Sequence, residues 1–206
     1  MLENTKALAA EKLVCDFVGG AVGHRYRFGG GRGQAIAKAV GFKGTSIPTI
    51  VDATAGLGSD AFLLASLGAN VTLIERSPHM HHVLQCGLRR GLEAGGDVAS
   101  VISRMTLVLG DAKDVLLTLS PDVVVVDPMH PPRKKSALVK GEMRLIREIV
   151  GTDPDAYELM RVALKVAQNR VVLKWPQKSD PMENIRPCSH QIVGKTTRYD
   201  VFMTHL

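Results

Sequence analysis

Cysteine is scarce in this chain. Cys15, Cys86 and Cys188 are widely spaced and odd in number, which excludes a disulfide framework and the paired spacing of a structural metal site. No apolar run approaches the roughly 20 residues needed to cross a bilayer, so no membrane partner is expected. The opening M-L-E-N-T-K-A-L-A-A-E-K carries acid and lysine where a signal peptide needs its apolar stretch, and a cytoplasmic location follows as the expectation. Internal repeats and low-complexity linkers are also lacking. What is present is ample apolar material: 45% hydrophobic residues and a mean hydropathy of +0.07 argue against disorder. The 206 residues suit one α/β domain.

Acids are outnumbered by bases, leaving a formal net charge of +6. Such a balance suits a polyanionic partner, because phosphate neutralisation supplies most non-specific nucleic-acid affinity. The pattern along the chain divides it into residues 1–47, a glycine-rich basic segment expected to pack on the rest, and residues 48–206, the main domain. The first segment ends in G-H-R-Y-R-F-G-G-G-R-G-Q and is expected to be loop, leading into a short helix at Gln34–Val40. Strands are expected at Thr49–Ala53, Asn70–Glu75, Met105–Leu109, Val123–Asp127, Arg170–Trp175, around Gln191–Gly194 and at Tyr199–Thr204. Helices are expected at Ser59–Leu67, Pro78–Leu92, Ser136–Val150 and Pro154–Ala167. This alternation predicts an α/β fold, a doubly wound and mostly parallel sheet. The short Gly194–Lys195–Thr196 link cannot hold a crossover helix, so the last two strands should form an antiparallel edge hairpin.

The stretch T-I-V-D-A-T-A-G-L-G-S-D-A delivers a strand into a glycine turn and then a helix. Gly56 and Gly58 allow a sharp turn and close approach of a ligand, and the helix start offers unpaired N–H groups. Glu75 closes the following strand, where an acid can grip ribose hydroxyls. Both a nicotinamide dinucleotide and S-adenosylmethionine contain that adenosine. Asp52 favours the second, since a carboxylate just ahead of the turn suits a cationic amino-acid tail and sits badly beside a pyrophosphate. Asp111, after the third strand, is placed to read the adenine amine.

V-V-V-V-D-P-M-H-P-P ends the fourth strand, on the same edge as the glycine loop in an open α/β sheet. It resembles the Asp/Asn-Pro-Pro-aromatic signature of methyltransferases acting on base amines. A base amine is a poor nucleophile because its lone pair is delocalised into the ring. Asp127 carboxylate and the Pro128 carbonyl can accept its two N–H bonds and favour a tetrahedral nitrogen. The prolines fix φ and hold that carbonyl in place. His130 stands at the stacking position for an extruded base, with less ring area than Phe or Tyr. Together these features imply a class I S-adenosylmethionine-dependent methyltransferase architecture and a nucleic-acid base as substrate.

Arg133, Lys134, Lys135, Lys140 and Arg144 follow this loop directly and read as contacts to RNA phosphates. Arg25, Arg27 and Arg32 in the glycine-rich segment share that reading, with an ordinary solvated face as the alternative. His79 and His82 share a helix face, but no acid or cysteine lies nearby in ligand spacing, so no metal is expected.

Three longer stretches resemble the ribosomal RNA small-subunit methyltransferase J family. They are D-F-V-G-G-A-V-G-H-R-Y-R-F-G-G-G-R-G-Q-A-I-A-K-A-V-G, V-D-A-T-A-G-L-G-S-D-A-F and D-P-M-H-P-P-R-K-K-S-A-L-V-K-G-E-M-R, joined by the closing R-Y-D-V-F. The resemblance implies S-adenosylmethionine as cofactor and the N2 amine of a guanine in bacterial 16S ribosomal RNA as target. The partner is then small-subunit RNA or the assembled subunit. It also implies cofactor contacts at Ser59, Asp60, Glu75, Arg76, Asp111, Ala112 and Asp127. Alternatives are a methyltransferase for another base amine, a nicotinamide-dependent oxidoreductase, or a catalytically silent RNA-binding protein.

Overall fold

The structure, a computed structural model, describes residues 11–42, 45–129, 141–151 and 153–205. Its strands are β1 (Ile50–Asp52), β2 (Val71–Glu75), β3 (Met105–Leu109), β4 (Val123–Val126), β5 (Arg170–Pro176), β6 (His190–Val193) and β7 (Thr197–Met203). They form one sheet in the order β3-β2-β1-β4-β5-β7-β6. The first five strands of that order are parallel, and β7 pairs antiparallel with both β5 and β6. The expected edge hairpin is present: Gly194 N–H donates to the Thr197 carbonyl at 2.8 Å across the turn.

Every residue of β4 is buried, as its unbroken valine run requires of a strand covered on both faces. Alternation divides the sheet between two apolar layers. Ile50, Val123, Val125, Val172 and Val201 face one cluster, while Val51, Val124, Val126, Val171 and Leu173 face the other. The first layer is closed by α1 (Gly20–Phe28), α2 (Ala35–Val40), α3 (Ser59–Ser66), α4 (Pro78–Glu93), α5 (Gly96–Ile102) and α7 (Gly141–Val150). The second is closed by α6 (Ala112–Val115) and α8 (Ala156–Val166).

Helix α1 corrects the expectation of a loop in the glycine-rich segment. Asp16 Oδ1 accepts from the N–H groups of Val18 and Gly19 at 2.9 and 3.0 Å, shaping the turn that leads into the helix. Phe17 stacks on Phe62 at 4.9 Å and Tyr26 meets the same ring edge-on at 5.6 Å. Gly23 is a helical glycine for a steric reason: a Cβ there would lie 2.8 Å from the Val18 carbonyl oxygen. Packing on α3 thus overrides the poor helix propensity of glycine. Helices α5 and α6 are also present where too few turns exist for periodicity to declare them.

The topology places the site. β1 sends its chain to β2 on one side and pairs with β4 on the other, with Asp52 in register with Val125. The loops leaving β1 and β4 therefore emerge side by side at the strands' carboxyl ends, where α/β sheets bind ligands.

Candidate active site

After Asp52 the chain turns through Gly56 and Gly58 into α3. Gly56 has φ +53°, and a Cβ built there would find its nearest neighbour, the Thr54 carbonyl oxygen, 3.9 Å away. Its surface is open to a ligand. Gly58 differs. At φ +68° its Cβ position lies 3.0 Å from Leu84, 3.2 Å from Leu73 and 3.3 Å from Phe17, so this glycine serves close packing beneath the loop.

Glu75 is buried at the end of β2 and holds the loop from below. Its two oxygens accept from Ser77 N–H at 2.8 Å and Gly56 N–H at 3.1 Å, leaving each a second lone pair. Burial pushes its carboxyl above the ordinary range, opposed by those two N–H groups. Burial acts more strongly on Asp52, whose carboxyl is pushed up to about 7.

A cleft open to solvent lies between the two loops, lined by Thr54 and Gly56 of one and Asp127 and Met129 of the other. Ile74, Ala112, Ile146 and Leu159 make its apolar wall. Glu75, Arg76 and Asp111 line it from the β2 and β3 side and Asp127 with Met129 from the β4 side. Arg76 is ion-paired with Asp153 and Asp155, the latter at 3.0 Å, and Lys113 Nζ reaches Asp155 at 2.6 Å. Asp111 caps α6 by accepting from Lys113 N–H at 2.9 Å.

The loop after β4 is pinned at two points. Asp127 N–H donates to Thr54 Oγ1 at 2.7 Å, tying it to the glycine loop, and Met129 N–H donates to Asp153 Oδ2 at 2.6 Å. Lys174, on β5, donates to Asp127 Oδ2 at 2.6 Å and to Asp60 Oδ2 at 3.0 Å. Arg25 completes this chain, reaching Asp60 Oδ1 at 2.6 Å and Gln34 Oε1 at 2.7 Å. Burial opposes the Lys174 charge, yet the Asp127 and Asp60 carboxylates outweigh it and hold the ammonium above its usual range. Burial likewise opposes ionisation of Asp60, but Lys174 and Arg25 keep its carboxyl low.

Of the residues expected at the cofactor, Gly56, Glu75, Arg76, Asp111, Ala112 and Asp127 line one cleft. Asp52, Gly58, Ser59 and Asp60 do not line it, and Asp60 is engaged by Arg25 and Lys174. Pro128 is buried in the loop. His130, Arg133, Lys134, Lys135 and Lys140 lie outside the described residues, and Arg144 is described for its helical backbone in α7. Arg25 turns inward, whereas Arg27 and Arg32 are exposed. His79 and His82 sit on α4, and no group of three metal-ligating side chains occurs among the described residues.

Lys174, Thr54 and Asp153 are the residues that motif reading missed. A lysine interrupting the buried run V-V-L-K-W is itself a signal, since a charge there requires a partner. The acids of D-P-D before α8 carry a weaker one.

Comparison with known proteins agrees with this geometry. The family described as "Putative SAM-dependent methyltransferase" matches residues 1–204. The chain is 67% identical over 193 residues to ribosomal RNA small subunit methyltransferase J of Agrobacterium fabrum, covering 94% of this chain and 93% of that protein. It is 65% identical over 199 residues to the protein of the same name from Brucella anthropi, covering 97% of each. A crystal structure of a SAM-dependent methyltransferase from Neisseria gonorrhoeae superposes with a TM-score of 0.74 at 34% identity, over 94% of this chain and 75% of that one. The nicotinamide alternative ends here, because the cofactor is S-adenosylmethionine. By fold, by cleft and by these relatives, the chain belongs to the ribosomal RNA small subunit methyltransferase J family of S-adenosylmethionine-dependent enzymes.

Proposed function

We propose that this enzyme methylates the exocyclic N2 amine of a guanine in bacterial 16S ribosomal RNA, presented as RNA or within the assembled small subunit. The observation that carries the reading is that Asp127 lines the same cleft as Gly56 and Glu75. The names of the relatives supply the ribosomal substrate, and the family resemblance supplies guanine N2. The geometry by itself supports a base amine. A ribosomal substrate puts the reaction in the cytoplasm.

The cleft suits the cofactor. The remaining lone pairs of Glu75 can accept ribose hydroxyls, Asp111 can accept from the adenine amine, and the apolar wall matches an adenine ring. Open Gly56 suits the amino-acid tail, and the buried Asp52 carboxylate at the end of β1 supplies a nearby negative charge. Bound there, S-adenosylmethionine supplies an electrophilic methyl group. Asp127 then accepts an N–H of the target amine. Lys174 occupies Oδ2, and Oδ1 has no hydrogen-bond partner among the described residues, which leaves it to the substrate. The Pro128 carbonyl takes the second N–H, and His130 stacks on the base. With the amine so placed, orientation and hydrogen bonding supply the remaining catalysis. Arg133, Lys134, Lys135, Lys140 and Arg144 meet the surrounding phosphates.

Mass mapping of small-subunit RNA from cells with and without the gene tests the reading. One guanine should become lighter by the mass of a methylene group on deletion, and regain it when the gene is restored; unchanged RNA would refute the assignment.

A further inference from the structure

Helix α1 has two faces with different destinations. Val22 and Tyr26 pack against the core, and Arg25 turns to Asp60. The opposite face carries His24, Arg27 and Phe28, all exposed, with Phe28 at 72%. The His24 and Phe28 rings lie 5.0 Å apart, inclined at 45°, one helical turn from each other. An isolated exposed apolar side chain is ordinary. A pair of rings on a segment with two exposed arginines, Arg27 and Arg32, the latter with its guanidinium 5.5 Å over the Phe42 ring, is the composition of a nucleic-acid stacking surface.

Two further observations favour this partner. The chain beyond Phe28 is bare: a Cβ at Gly30 or Gly33 would meet nothing within 4 Å, and Gly33 has no positive φ to explain its identity. Absence of a side chain there leaves the backbone open to close approach from outside. The helix is also wired to the reaction centre, through Arg25 to Asp60, Asp60 to Lys174 and Lys174 to Asp127. A base extruded to Asp127 leaves its neighbours unstacked, and a nearby aromatic surface replaces the stacking they give up.

We propose that His24 and Phe28 form a stacking platform for an unpaired RNA base flanking the target nucleotide, with Arg27 and Arg32 meeting its phosphates. This rests on the RNA reading above and adds a place where a second base is held. Stacking is sequence-tolerant and largely independent of salt, whereas the arginines release counterions when they meet phosphate. The two contributions are therefore separable in one experiment.

Binding of fluorescently labelled 16S ribosomal RNA is titrated across a salt series for the full chain and three variants. Phe28→Ala should weaken binding about tenfold or more, the scale of one base–aromatic stack, with the log–log salt slope unchanged. Phe28→Trp should restore affinity. The double variant Arg27→Ser/Arg32→Ser should lower the slope by about 0.7–0.9 for each phosphate no longer neutralised. S-adenosylmethionine affinity should match the parent in all three, which also certifies their folding. A parent-like affinity for Phe28→Ala overturns the proposal. So does a change in sedimentation without a change in RNA binding, which would assign the face to a second copy of the chain. If the parent methylates the RNA while Phe28→Ala binds and reacts normally, the platform alone fails. If the parent neither binds nor methylates it, the RNA reading fails as well.

Discussion

The Lys174 ammonium stands 2.6 Å from Asp127 Oδ2 and links it to the Asp60 carboxylate 3.0 Å away. A carboxylate held by one oxygen presents the other in a fixed direction, which is what an acceptor for a poorly nucleophilic amine requires. Lys174 is therefore a positioning residue. Lys174→Met should lower kcat by up to about 10²-fold, the scale of a small misplacement of reacting groups. KM for S-adenosylmethionine should change little, and Asp60 keeps its Arg25 partner, so the fold should survive. Lys174→Arg should recover part of the rate. Steady-state kinetics decide the matter: a loss confined to cofactor KM would place Lys174 in cofactor binding instead.

Asp127 itself should be more sensitive. Removing one preorganised hydrogen-bonding group at the reacting centre typically costs about 10²–10³ in rate. Asp127→Ala should show at least the lower figure in single-turnover methylation. Asp127→Asn should retain more, because its amide oxygen still accepts. Normal single-turnover rates in Asp127→Ala would remove the residue from the mechanism.

If Asp52 faces the cationic tail of the cofactor as proposed, cofactor binding should be pH-dependent. Burial pushes its carboxyl up to about 7, so at neutral pH a substantial fraction is protonated. A cationic amine bound beside it favours the carboxylate and expels a proton. Cofactor affinity should therefore rise as pH climbs from about 6 to about 8 and then level off. Folding stability moves in the opposite sense. The folded pKa exceeds the ordinary 3.8, the folded state holds the extra proton between those values, and stability falls as pH rises from about 4 to about 7. Calorimetry of S-adenosylmethionine binding near neutral pH, in buffers of different ionisation heat, should show proton release that is absent in Asp52→Asn. Buffer-independent heats would contradict the linkage.

Much of this was legible in the residues, for identifiable reasons. The valines of β4 declare a strand through local pattern, and the glycine and D-P-M loops declare a ligand edge through residue types with few other uses. What the pattern could not convey was contact at long range. Gly20 and Gly23 read as loop formers, yet Phe17 and Tyr26 packing on Phe62 draws the segment into α1. Gly56 and Gly58 look equivalent in sequence; one faces the cleft and the other Leu84. Lys174 lies 114 residues from Asp60 and 47 from Asp127, and no spacing rule connects them.

Methyl transfer to guanine N2 can be observed directly with the purified enzyme and small subunits from a strain lacking the gene. S-adenosylmethionine carrying a trideuterated methyl group is supplied, the ribosomal RNA is digested, and the nucleosides are resolved by mass spectrometry. One deuterated N2-methylguanosine per subunit is expected, absent when Asp127→Ala replaces the parent enzyme. Label on another base, on ribose, or on no RNA nucleoside at all would contradict the assignment.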